Sequence, residues 1–397
     1  MTSEERREAR YRRRKERRKA KRDKLASSIG TAEEVFCYHD MFRYGKQCTR
    51  GVMWKQSAQN FRRHLFSRTA ANRKRVLSKK GYKPKRLVRF TLNERGKTRH
   101  IEAPHIDDRQ IQKCLTKKVL LPLYAPRMIY DNGASIEGKG LLFAQNQLDG
   151  AIRRHVKRYG LSGHIILADF SGFFPNADRN VVKRRHLEIK DRRLRAILDA
   201  VTDAGSGDKG LPLGVEPSQA EMVALPSPLD AYMSCQTRCS GFGHYMDDYH
   251  MLIPPGSDPA AVLETFITKA ARLGIRVSRD KTSIVPVGKP FRFCKRQRLV
   301  SVNHYGDVVI RSRGYPSSRK RARRKIRYFA KACGKMSFED IYTSANSSIA
   351  YFAQTDSHGT VLSLRRLFYA LFGFSCEDVQ EFRRGNLENG ICMPQEI

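Results

Sequence analysis

Phe242-Gly243-His244-Tyr245-Met246-Asp247-Asp248-Tyr249-His250-Met251-Leu252-Ile253 reads as two short strands meeting at a turn that carries two adjacent carboxylates. The flanks are aromatic or apolar, as a sheet demands, and only the turn is acidic. Upstream, Gly163-His164-Ile165-Ile166-Leu167-Ala168-Asp169-Phe170 is a short apolar run bounded by glycine and a polar turn, the pattern of a buried strand. Asp169 ends that strand, 78 residues before Asp247. Carboxylates gathered at the ends of buried strands carry a desolvation and like-charge cost. A divalent cation relieves it. Two Mg²⁺ ions about 3.5 to 4 Å apart stabilise both the attacking and the leaving oxygen of an in-line phosphoryl displacement. An Asp-Asp turn standing in solvent has the same residues, so the surroundings decide.

Those surroundings are orderly. After the hairpin comes a well-punctuated helix, with Asp258 as N-cap, Pro259 in the first turn, Val262, Phe266, Ile267, Ala270 and Leu273 on one face, and Gly274 at the end. Ile275 to Val287 then resumes strand. Between Asp169 and the hairpin, a basic helix is predicted over Arg184 to Thr202, and a second helix, not basic, from Ser218, interrupted near Pro226 and Pro228. Earlier, Leu87 to Leu92 and Thr98 to Ala103 flank a turn and form a hairpin. A helix follows with Ile111, Cys114, Leu115, Val119 and Leu120 inward. The glycine-bearing loop at Asn132-Gly133 and Gly138-Lys139-Gly140 lacks phosphate-loop spacing and reads as a turn. Trp54 reads as a packing residue. After Val300 come a hairpin from Ser301 to Ile310, a basic run from Arg311 to Arg327, and helices. The order strand, helix, helix, hairpin, helix, strand predicts an α+β fold with a split βαβ antiparallel sheet backed by helices.

Composition narrows the partners. The 397 residues include 77 Lys+Arg against 39 Asp+Glu, a net charge of +38 that fits a polyanion, nucleic acid in particular. Thr2 to Lys24 holds thirteen Lys/Arg and five acids with almost no apolar residue. It reads as a basic arm, disordered or helical, too polar to bury much surface. Removing its +8 still leaves +30. No apolar run approaches a membrane span and no secretory h-region opens the chain, so a cytoplasmic protein without membrane partners is expected. The nine cysteines are scattered, against a disulfide framework. The pair Cys235 and Cys239, near His244 and His250, has no second pair at zinc spacing.

With these motifs in place, the chain resembles the reverse transcriptases. Asp169-Phe170-Ser171-Gly172-Phe173-Phe174 looks like their first metal-binding motif and Tyr245-Met246-Asp247-Asp248 like their second. Gly210-Leu211-Pro212-Leu213-Gly214-Val215-Glu216-Pro217-Ser218-Gln219 lies where the family positions template and nucleotide. The resemblance reaches upstream to Lys97-Thr98-Arg99-His100-Ile101 and Asp108-Arg109-Gln110-Ile111-Gln112, and downstream to Lys281-Thr282 and Phe291-Arg292-Phe293-Cys294. It covers residues 85–300. It implies a right-hand polymerase with fingers, palm and a helical thumb. The divisions expected are an arm at 1–30, a helical extension at 31–84, fingers and palm at 85–300, a basic hairpin and thumb at 301–375, and a tail at 376–397.

The resemblance also implies roles. Asp169, Asp247 and the Phe170 backbone carbonyl would hold two Mg²⁺ ions, with Mn²⁺ as a substitute and Asp248 as further ligand or charge. Phe174 would lie under the sugar and select deoxynucleotides, and Arg99 would take the triphosphate. Leu213, Gly214 and Gln219 would border the nascent base pair. Lys281 is the candidate general acid for pyrophosphate release, and Phe293 and Cys294 would form a primer grip. The expected partners are template RNA and a DNA primer or its cDNA.

One departure is informative. Most of the family carries Gln-Gly-x-x-x-Ser-Pro where this chain has Leu213-Gly214-Val215-Glu216-Pro217-Ser218-Gln219. That pattern is similar to the enzymes of diversity-generating retroelements, which implies adenine-biased errors and a small basic accessory protein. A retron-type or antiviral-defence enzyme on a dedicated RNA stays open, as does a catalytically silent RNA-binding scaffold. The 23 residues after Phe374 carry no motif of an appended nuclease, so none is expected.

Overall fold

The computed structural model describes residues 2–94, 97–332 and 338–373. The expected tail at 376–397, and Cys333, Cys376 and Cys392, lie outside them. Two compact units result, 2–155 with 163–284 and 156–162 with 285–373.

The first unit opens with helices α1 (Ser3–Ser28), α2 (Ala32–Val35), α3 (Tyr38–Cys48), α4 (Gln56–Arg63) and α5 (Leu65–Val76), then strands β1 (Val88–Glu94) and β2 (Lys97–Ala103). After α6 (Ile106–Leu115), a π-helical turn, α7 (Leu121–Tyr124) and α8 (Leu141–Tyr159) comes β3 (His164–Asp169). Helices α9 (Arg179–His186), α10 (Arg192–Thr202), α11 (Glu216–Ala224) and α12 (Ser227–Gln236) precede β4 (Gly241–Tyr245) and β5 (Asp248–Ile253). Helix α13 (Pro259–Ala271) leads to β6 (Ser283–Pro286). Strands order β4-β5-β3-β6, so the hairpin pairs antiparallel with β3 and the strand after α13 closes the other side. This is the split βαβ arrangement. The first unit has two cores. One gathers Phe36, Met41, Ile111, Leu115, Leu194 and Ile197. The other packs Ile166, Phe170, Met222, Tyr249, Met251 and Phe266 between the sheet and its helices.

The second unit carries β7 (Phe291–Phe293), β8 (Arg296–Val302), β9 (Val308–Gly314), α14 (Pro316–Lys331), α15 (Phe338–Ala353) and α16 (His358–Phe372). The basic run folds as the end of β9 and α14, where Ala322, Ile326 and Phe329 form the buried stripe and the cations point outward. Phe293 and Cys294 are both buried, and Cys294 and Lys295 form a two-residue turn with φ of 46° and 66°. Their side chains face inward, so any grip on a primer there falls to the turn's backbone.

Four expectations change. Trp54 is 75% exposed, with Lys55 Nζ 4.8 Å above its ring, because the turn that holds it lies off the apolar faces of α3 and α4. The predicted helix from Arg184 to Thr202 is two helices, since the Asp191 carboxylate accepts from Leu194 N at 2.8 Å and restarts the chain as α10. Ile275 to Val287 is continuous strand only in β6, because Val277 makes an isolated bridge to Phe170 and Arg279–Lys281 coil into a 3₁₀ turn. The basic arm takes the helical of its two expected forms, α1, capped by Thr2 and Glu5, and what changes is that it docks on α12 through a stripe three residues apart. Glu8 accepts from Gln236, the Tyr11 ring meets Tyr232 edge-on at 5.8 Å, and Arg14 Nη1 lies 3.3 Å from Cys235 Sγ. A composition count misses three well-spaced contacts.

Beneath α11, His186 is buried with Nδ1 2.7 Å from Asp199 Oδ1 and Nε2 3.0 Å from Glu221 Oε1. Burial alone would lower its pKa, but the two carboxylates outweigh it and hold the imidazole up at about 9, above the ordinary 6.5. A raised pKa stabilises the fold fully below the ordinary value and less as pH climbs through the folded one. The expected result is a loss of roughly 3 kcal/mol between pH 6.5 and pH 10, absent in His186→Gln, read by denaturation across pH.

Candidate active site

Strand register brings the acidic residues to one place. Asp169 faces Asp248 across the β3–β5 ladder, and Tyr245 faces Asp248 across the hairpin. Between Tyr245 and Asp248 the loop is only Met246 and Asp247, and Met246 takes a left-handed φ of 56°. That conformation costs a side chain with a Cβ about 1–2 kcal/mol, so neighbours must hold it.

They are buried and polar. His244 Nδ1 lies 3.1 Å from the Met246 carbonyl, and its ring stacks on Tyr249 at 4.4 Å. Tyr249 Oη donates to Asp230 Oδ1 at 3.0 Å, and His244 Nε2 stands 3.2 Å from Asp230 Oδ2. His244 also locks the edge of β4, donating from its backbone to Asp131 O while its carbonyl accepts from Gly133 N. The sequence named His244 only as a neighbour of the Cys235 and Cys239 pair and did not reveal this network. The signal was there: an aspartate inside the apolar helix at Asp230 and a histidine inside an apolar strand.

The other side is held by backbone. Phe170 N donates to Asp247 O at 3.3 Å, Ser278 N to Asp169 O at 2.8 Å and Ser171 N to Arg276 O at 2.8 Å. The 3₁₀ turn then delivers Lys281, whose Nζ sits 2.5 Å from Asp169 Oδ1. That hydrogen bond chiefly raises the lysine's pKa, with Asp169, Asp247 and Asp248 adding attraction against a partial desolvation. Burial raises the Asp247 carboxyl. Its own backbone amide opposes this, Asp169 reinforces it, and Lys281 and Arg99 draw it back.

A cleft of about 700 Å³ opens on Asp247. Six of the predicted residues line it: Arg99, Phe174, Leu213, Gly214, Gln219 and Asp247. Its wall is set by β2, where Glu102 N donates to Leu213 O at 2.9 Å. Gly214 has φ 112°, and a Cβ there would stand 3.1 Å from Glu102 O, so only glycine lets the loop lie this close. Gln219 Nε2 donates to Ser135 Oγ at 2.9 Å, joining α11 to the glycine loop. Phe170 is absent from the lining. Its ring is buried among Phe173, Tyr249 and Phe266, which leaves only its backbone for any ligand. Sequence reasoning missed Lys117 and Ser135 in the lining and quoted Arg109 in a motif without giving it a role. It also missed the apolar face of β1, where Phe90 and Leu92 stand opposite Ile101 and Arg99 and are half exposed.

Among the described residues no group of three or more His, Cys, Asp or Glu side chains converges as a metal site. Asp169 and Asp248 nevertheless pair across the β3–β5 ladder, with Asp247 in the adjoining turn, so the three expected carboxylates stand at one end of the sheet. Two carboxylates fit Mg²⁺, which is ordinarily held by one or two of them together with substrate phosphates. The Lys281 ammonium against Asp169 marks the same place as one that draws a cation. No protein-family model matches the chain, and no curated protein matches it significantly. Among the described residues no helix is long and apolar enough to cross a membrane.

Proposed function

We propose that the chain is an RNA-directed DNA polymerase that extends a DNA primer on an RNA template. The observation that carries this is the single cleft in which Asp247, Arg99, Phe174 and Gly214 meet. Metal ions held by Asp169, Asp247 and the Phe170 carbonyl would stabilise the attacking and leaving oxygens. Arg99, exposed on β2 and drawn toward Asp247, binds the triphosphate through a guanidinium fork. Phe174 forms the floor under the sugar and excludes a 2′-hydroxyl. The backbone of Leu213 and Gly214, fixed to β2, seats the base pair. Lys281 remains protonated beside Asp169 and supplies the proton to the departing diphosphate.

On this reading the first unit is fingers and palm and the second, with its basic α14, is the thumb that follows duplex backbone. A mutagenic retroelement enzyme is the finer reading we favour. Its support is Gln219, exposed at the cleft and tethered, among the described residues, to Ser135 alone, where a tighter reading of the base would need a fixed amide.

The test is nucleotide competition during primer extension on RNA. Wild type is expected to prefer deoxynucleotides, and Phe174→Val to accept ribonucleotides about 10²-fold better, the range one steric group supplies. Product sequencing is expected to show mismatches concentrated opposite template adenines. Unchanged sugar selectivity in Phe174→Val would remove that residue from the nucleotide site, and evenly spread errors would favour the defence or retron role.

A further inference from the structure

Helices α3 and α5 divide their faces between two tasks. Inward, they grip α6: Gln110 Nε2 donates to Met41 O at 2.7 Å and to Thr69 Oγ1 at 2.9 Å, while Asn72 Nδ2 donates to Gln110 Oε1 at 2.8 Å. Gly45 permits the approach, since a Cβ there would stand 2.7 Å from both Gln110 Nε2 and a Leu65 methyl.

Outward, they carry a stripe of rings and cations. Tyr38, Phe42 and Lys46 recur every four residues on α3, and Phe66 and Arg73 stand seven apart on α5, so each set shares a face. Arg73 covers the Tyr38 ring at 4.8 Å, Phe66 stacks on Phe42 at 4.5 Å, and Lys46 Nζ lies 4.6 Å over Phe42. The order along the stripe is therefore cation and ring, ring and ring, cation. Phe66 is 79% exposed and Tyr38 55%, so costly apolar surface is left in water beside permanent positive charge.

We infer that this stripe is a platform for a single-stranded segment of RNA, the unpaired template strand of the reaction proposed above, on which the inference rests. Bases stack on exposed aromatic faces regardless of sequence, and flanking cations neutralise the phosphates. The charge balance of the segment selects that partner over a protein surface. Residues 35–85 hold 14 Lys or Arg and one acid, Asp40. That acid is turned inward and engaged by Lys118 and Arg43. Trp54, with Lys55 above it, repeats the ring and cation pairing in the same stretch. Stacking on Phe66 needs no change in its contacts, because one face already rests on Phe42 and the ring remains open.

The experiment is fluorescence anisotropy of a labelled single-stranded RNA of about 12 nucleotides, with the whole protein in chelator so that no synthesis occurs. Phe66→Leu keeps a side chain against Phe42 and removes the π face. It is expected to weaken RNA binding about tenfold with the salt dependence unchanged, and Tyr38→Ala by a similar factor. Lys46→Ala is expected to lower the slope of log affinity against log salt by about 0.7. Wild-type affinity in both Phe66→Leu and Tyr38→Ala overturns the platform, and so does an equal loss on duplex DNA, which offers no free base faces. Asp247→Asn is expected to bind this RNA as wild type does. If that variant still extends primers, the polymerase reading fails while the anisotropy result stands by itself.

Discussion

Replacing Asp247 by asparagine is expected to lower RNA-templated DNA synthesis by about 10³-fold while making the metal-free protein harder to unfold at neutral pH. Asparagine keeps the size of the side chain and the two-residue turn, so the hairpin register is unchanged. What is lost is the anionic oxygen. Charge stabilisation of several kcal/mol converts to that factor at about 1.4 kcal/mol per tenfold. The opposite effect on stability follows from burial, which raises the Asp247 pKa with support from Asp169. A carboxyl whose folded pKa is raised stabilises the fold below its ordinary value and costs stability as pH rises through the folded one. At neutral pH the ionised group is therefore a burden that the amide does not carry. Melting temperature with and without Mg²⁺ reads both sides: wild type rises on adding the ion, and Asp247→Asn starts higher and stays there.

The second large effect is expected at Asp230, which touches neither cleft nor substrate. Asp230→Ala leaves the Tyr249 hydroxyl and His244 Nε2 facing a void inside the core. Breaking a buried polar pair by removing one side costs about 3 kcal/mol or more. His244 then loses the support that orients Nδ1 toward the Met246 carbonyl, and the left-handed turn beneath Asp247 loosens. Asp230→Asn retains an acceptor for Tyr249 and is expected to recover most of the stability. Chemical denaturation measures the first effect. Steady-state extension, normalised to the folded fraction that denaturation reports, is expected to keep a lowered kcat from a misplaced Asp247, whereas a merely unfolded fraction would leave kcat per folded molecule at the wild-type value.

The sequence made the acidic strand ends and the order of elements legible because both are local. Asp169 closes a run of apolar residues, and Asp247 interrupts one, so period and punctuation suffice. The β1–β2 hairpin and the capped α13 were readable for the same reason. What was not legible depends on partners far along the chain. Asp230 and His244 acquire meaning only when α12 lies under the hairpin. Arg109 and Lys117 enter the cleft because α6 and its π-helical turn run beside α11. Helix α1 looked too polar to bury much surface, which gave no hint that Tyr11 meets Tyr232, and Trp54 looked like a packing residue although it is exposed. Lys281 was found from its motif, but its ion pair with Asp169 needed the bridge at Phe170 and Val277 to bring the two strands together.

The most direct measurement is extension of a labelled DNA primer annealed to a mixed-sequence RNA template, with Mg²⁺ and all four deoxynucleotides. The account predicts DNA copied to the end of the template, lost when chelator replaces Mg²⁺. A protein that binds the primer-template but adds no nucleotide under these conditions would contradict it, and the basic surfaces would then belong to an RNA-binding scaffold.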